Sequence, residues 1–90
     1  MNLYVKVEFK TPTTEQVRRG MQQFKDRLRV VTPGLAGIAE TEQDGRTRLR
    51  FEFAEPAHAY EFAARMSAML GKDLEIEPGS EPLPPVKSGN

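Results

Sequence analysis

An α+β fold of the order βαββαβ is what the 90-residue sequence predicts. Three observations carry it: two segments with apolar residues at helical spacing, four with alternating ones, and an Asp-Gly turn between the middle two. Leu3, Val5, Val7 and Phe9 alternate with Tyr4, Lys6, Glu8 and Lys10, the period of two that gives a strand one buried face. Thr11-Pro12 breaks this strand. Thr13 stands three residues before Gln16, a capping-box spacing in which hydroxyl and amide satisfy orphan backbone N–H groups. A helix over roughly 14–29 follows, with Val17, Met21, Phe24 and Leu28 on one stripe. Gly20 inside it costs about 1 kcal/mol of helix propensity, which points to a close approach to the sheet. Pro33-Gly34 ends the unit.

Asp44-Gly45 is a two-residue hairpin signal, because both central positions of such a turn take positive φ. It sets Gln43 opposite Arg46, Thr41 opposite Arg48, Ala39 opposite Arg50 and Ile38 opposite Phe51. Leu49, Phe51 and Phe53 then share the buried face with Ile38 and Ala36, and Glu40 falls on that face opposite Leu49. A carboxylate there requires the strand to lie near an edge. Pro56 suits the first position of a second helix, over about 56–70, whose apolar stripe is Ala59, Phe62, Ala63, Met66, Met69 and Leu70. Gly71 is its C-cap. Leu74 and Ile76 alternate with Asp73, Glu75 and Glu77 as a last strand. The order is that of the ferredoxin-like plan, a four-stranded antiparallel sheet with both helices on one face.

One domain over 1–77 is expected, followed by a disordered tail over 78–90 with four prolines, two glycines and two serines. Within that tail, Pro82-Leu83-Pro84-Pro85-Val86-Lys87 fits a polyproline-ligand pattern, although a flexible terminus is the expectation. The scaling of surface with size gives about 64% burial, enough for one core and not two. With 13 basic and 13 acidic residues the net charge is zero, which argues against a general polyanion binder. The balance is uneven: residues 1–50 carry ten basic and six acidic groups, residues 51–90 three and seven. The absence of cysteine excludes disulfides, thiolate metal sites and a Cys nucleophile, and a single histidine excludes a His-pair site within one chain. No cofactor or metal is expected. No run approaches the roughly 18 apolar residues of a membrane span, and the first residues show no leader, so a cytoplasmic location is expected.

The sheet face away from the helices is free to bind. Tyr4, Lys6, Glu8 and Lys10 fall on it, with Ala39, Thr41, Arg48, Arg50, Glu52, Asp73, Glu75 and Glu77. Leu3-Tyr4-Val5-Lys6 resembles the first-strand hexapeptide of the RNA recognition motif, with Tyr4 at the stacking position. Arg46-Thr47-Arg48-Leu49-Arg50-Phe51-Glu52-Phe53 is similar in length and buried aromatics to that family's third-strand octapeptide. The segment from Thr13 to Phe24 looks like its first helix. The resemblance implies bases stacked on the sheet. Two departures count against this: Arg48 and Arg50 stand where the exposed aromatics belong, and the octapeptide's glycines are absent. The acidic last strand also lies beside Lys6 and Lys10, so a phosphate backbone would meet alternating columns of charge.

A second basic feature is the stripe Arg18, Gln22, Lys25 and Arg29 along the first helix, beside its apolar stripe; such side chains commonly cover the rim of a core. His58 lies in the first turn of the second helix, off the stripe and expected to be exposed. No nucleophile elbow, paired carboxylates or phosphate-cradling loop accompanies it. The functional expectation is a non-catalytic interaction domain that binds a protein partner or its own copy. Its candidate surface is Tyr4, Lys6, Arg48 and Arg50, with Arg18, Lys25 and Arg29 as a candidate helix patch. The alternative is an RNA- or single-strand-binding module on the same sheet face. Tyr4 and Ala39 are the few apolar groups expected there, too few to force a sheet-on-sheet dimer. Pairing through the edge over 36–42 is opposed only by Glu40 and Glu42.

Overall fold

The computed structural model describes residues 2–12 and 14–79, with Thr11 described in its backbone alone. In chain order the elements are β1 (Asn2–Pro12), α1 (Glu15–Val31), β2 (Leu35–Gln43), β3 (Arg46–Phe53), α2 (Pro56–Leu70) and β4 (Glu75–Gly79). The sheet runs β2-β3-β1-β4, antiparallel throughout, which is the ferredoxin-like arrangement. No helix among the described residues is long and apolar enough to cross a membrane.

The hairpin register is set by its turn. Asp44 and Gly45 take φ of 55° and 72°, and Gln43↔Arg46, Thr41↔Arg48, Ala39↔Arg50 and Ile38↔Phe51 pair as the two-residue loop requires. One inward rung reads Ile38–Phe51–Val5–Ile76 across all four strands. Phe62 of α2 closes on it, its ring 4.8 Å from that of Phe51 and 5.2 Å from that of Phe53. Ala59, Ala63 and Met66 of α2 and Met21 and Leu28 of α1 fill the remaining core, with Phe9 and Phe24 edge-to-face at 6.4 Å. Small residues at 59 and 63 let α2 approach the sheet closely.

Several local expectations are corrected. The N-cap of α1 is Thr14, whose Oγ1 accepts from the Val17 N–H at 3.2 Å; Thr13 lies outside the described residues. The helix also runs two residues past 29. Gly20 meets nothing and is exposed, so it serves no close approach. Ala36 is exposed rather than buried, because a shift of register between Leu35 and Gly37 gives the inward position opposite Phe53 to Leu35. Met69 is 68% exposed, whereas Leu70 beside it packs against the core. Gly71, at φ 69°, caps that helix as expected. β4 includes Pro78 and Gly79, paired with Leu3 and Asn2, where the tail was expected to begin. The rest of that tail, residues 80–90 with the polyproline pattern, lies outside the described residues.

Candidate functional site on the open sheet face

Strand parity and register place the candidate residues in rungs. One reads Ala39–Arg50–Lys6–Glu75, and the next Thr41–Arg48–Glu8. Lys6 Nζ lies 3.4 Å from Glu75 and 3.7 Å from Glu77, and Arg48 Nε lies 3.7 Å from Glu8. These are exposed pairs, each contributing about 0.2–1 kcal/mol and weakened by salt. They match the alternating columns of charge expected from the sequence. Arg50 differs. It sits directly opposite Lys6, a like charge, is half-buried, and makes no ion pair among the described residues. Its guanidinium stands 5.9 Å from the centre of the Tyr4 ring, where a cation–π contact is worth about 0.5–1 kcal/mol.

Twist of the sheet makes this face a groove of about 620 Å³, floored by Lys6 and Arg50. Thr41 and Arg48 line one side, and the segment from Lys72 to Glu75 the other. Lys72 Nζ donates to the Glu8 carbonyl at 2.6 Å and ties that segment to β1.

Tyr4 and Ala39, expected to be the exposed apolar groups of this face, are instead buried, at 3% and 9% exposure. The Tyr4 ring lies flush against Gly79, where an added Cβ would come within 2.2 Å of it. Arg50 stands over the ring, and the pair Tyr4 and Ala39 forms a small apolar cluster separate from the main core. Glu52, also on this face, is buried and accepts from Asn2 Nδ2 at 2.6 Å. Of the four candidate residues, Lys6, Arg48 and Arg50 therefore meet in the groove, while Tyr4 is buried against Gly79 and is not among its lining residues.

The α1 patch does not present free charge. Arg18 reaches Glu42 of β2 at 3.1 Å, Lys25 reaches Glu40 of β2 at 2.5 Å, and Arg29 reaches Asp26 at 2.5 Å. The Lys25–Glu40 pair is well covered, its side chains 13% and 29% exposed, and it accounts for a carboxylate on the core side of an edge strand. The hydrogen bond and charge of Arg18 lower the Glu42 pKa, and those of Glu42 raise that of Arg18. A lowered carboxyl pKa contributes stability above its unfolded value, and that contribution is lost as pH falls through the folded value. Acid unfolding of Glu42→Gln, followed by circular dichroism, is therefore expected to show a shallower loss of stability below about pH 4.5 than the parent. Identical acid limbs would remove Glu42 from the account.

His58 is half-buried instead of exposed. Its ring packs on Gly34, and Nδ1 is buried without a hydrogen-bond partner among the described residues. Beside it, Leu28, Val31, Phe62, Met66 and Met69 line a cleft of about 160 Å³ between the two helices. Among the described residues no cluster of His, Asp or Glu is arranged to hold a metal ion. Sequence reasoning missed the Gly34–His58 contact and both α1–β2 ion pairs; only the inward parity of Glu40 hinted at one of them. Comparison of the chain with known protein families, with curated proteins and with solved structures finds no match.

Proposed function

We propose that the chain is a non-catalytic interaction domain of the cytoplasm that binds a protein through the groove on its open sheet face. The observation that carries this reading is Arg50, a half-buried cation in the groove floor with no carboxylate partner among the described residues. Around it the sign of charge changes from strand to strand: acidic on β4, paired cations on β1 and β3, neutral on β2. A protein surface carrying one carboxylate toward Arg50 and cations toward Glu75 and Glu77 complements that pattern. A phosphate backbone, with one sign throughout, does not. The buried Tyr4 ring also offers no face for base stacking.

The test is recovery from the native source with tagged chain, parent against Arg48→Glu plus Arg50→Glu. A protein retained by the parent through nuclease treatment, and reduced at least about tenfold by the double variant, is expected. Retention unaffected by the variant overturns the site. Saturable binding of labelled single-stranded RNA at low salt, abolished by the same variant, overturns the choice of partner class.

A further inference from the structure

Among the described residues the sheet ends in two edge strands, β2 and β4, and they are guarded differently. β4 is five residues long, carries Glu75 and Glu77, and contains Pro78, which has no N–H to offer an incoming strand. β2 is nine residues long and holds neither proline nor lysine. Its charges are Glu40 and Glu42, both on the helix side of the sheet, where Lys25 and Arg18 of α1 neutralise them. The open-face residues along this edge are Gly37, Ala39, Thr41 and Gln43, none of them charged. The two carboxylates that alone oppose strand addition are thus held by the protein's own helix.

We infer that β2 is where a second copy of this chain adds antiparallel, joining two sheets into one of eight strands. The inference extends the interaction-domain reading to a second surface and takes from it only the expectation of a partner. The register follows from charge. A two-fold seam centred on Glu40 sets that carboxylate opposite its own copy, and one centred on Thr41 sets Glu40 opposite Glu42 of the second copy. Like charges directly opposite are destabilising. Centring on Ile38 sets Glu40 and Thr41, in the middle of the strand, against the irregular stretch at Ala36 and Leu35, which centring on Ala39 meets only at the strand end, at Glu42 and Gln43. Centring on Ala39 sets Glu40 against Ile38 of the second copy and Thr41 against its Gly37, and every glutamate keeps its α1 cation.

That register extends the groove. From one copy to the next the central rung reads Glu75–Lys6–Arg50–Ala39, then the same residues in reverse. The two Arg50 side chains lie three strand steps apart, about 14 Å at the usual spacing, across a seam of two alanines. The groove already reaches β2 at Thr41, so its floor continues into the second copy and gains that copy's Arg50.

The chain has no cysteine, so an introduced one reports the seam without interference. In the Ala39-centred register Ala39→Cys faces its own copy within disulfide reach, whereas two Thr41→Cys residues stand about 14 Å apart. Sedimentation of the full chain is expected to show a reversible species of twice 10.1 kDa. Mild oxidation is expected to convert most Ala39→Cys to a linked dimer and essentially none of Thr41→Cys, with melting curves showing that both variants fold. A strict monomer at millimolar concentration with no linked Ala39→Cys overturns the inference. So does a dimer that links through Thr41→Cys or through neither position. A strict monomer that still retains a foreign protein through Arg48 and Arg50 leaves the interaction-domain reading standing.

Discussion

Replacing Phe51 by alanine is expected to remove about 3–5 kcal/mol, the upper range for truncating one core side chain. Phe51 is fully buried at the middle of β3, the strand paired on both sides by β1 and β2. Its ring is held by Val5 and Ile38 across the strands and by Phe62 from above. Little of the resulting cavity closes, because the neighbours belong to backbone fixed by ladder hydrogen bonds. A domain of this size has about 5–15 kcal/mol in total, so the variant is expected to sit near its unfolding midpoint in moderate urea. Urea titration by circular dichroism reads this directly. A loss below about 1.5 kcal/mol would mean that the three-ring packing of Phe51, Phe53 and Phe62 is looser than described.

Gly34→Ala is expected to cost about 1–3 kcal/mol at a position that sequence alone would treat as an ordinary loop. Two independent causes act there. Gly34 takes φ of 74°, in the left-handed region that an L side chain enters at about 1–2 kcal/mol. An added Cβ would also come within 2.1 Å of His58 Nδ1, and the ring is anchored too near its own backbone to swing clear cheaply. A double-mutant cycle separates them. With His58→Ala in the background the steric part disappears and only the backbone part stays, so the two changes are expected to couple by about 0.5 kcal/mol or more. Strict additivity would leave backbone strain as the whole explanation.

The parts of this molecule legible in its sequence are those set by local periodicity. Val5, Val7, Leu49, Phe51 and Phe53 are buried because alternation admits one buried face, and Asp44-Gly45 admits one register for the hairpin. α2 was readable to its ends from Pro56 and Gly71. What escaped depends on two elements meeting. Thr13 and Thr14 are equivalent as caps until the chain direction leaving β1 is known. Ala36 follows its alternation only if the strand is regular, and one displaced residue at the start of β2 reverses it. The groove shows the same division. The columns of Lys6, Arg48, Glu75 and Glu77 follow from parity and strand order, but the burial of Tyr4 needs the path of β4 as far as Gly79. The stripe of Arg18, Lys25 and Arg29 was visible as a stripe. Its neutralisation was not, because Glu40 and Glu42 come within reach only when helix and strand pack.

The strand made earliest, β1, has as its neighbours the two made latest before and after α2. A chain emerging from the ribosome therefore carries its most apolar N-terminal stretch without a ladder until the hairpin of β2 and β3 exists, and that hairpin needs only nearby residues. Closure onto β1 then waits on the longer connections, which makes the hairpin the natural seed.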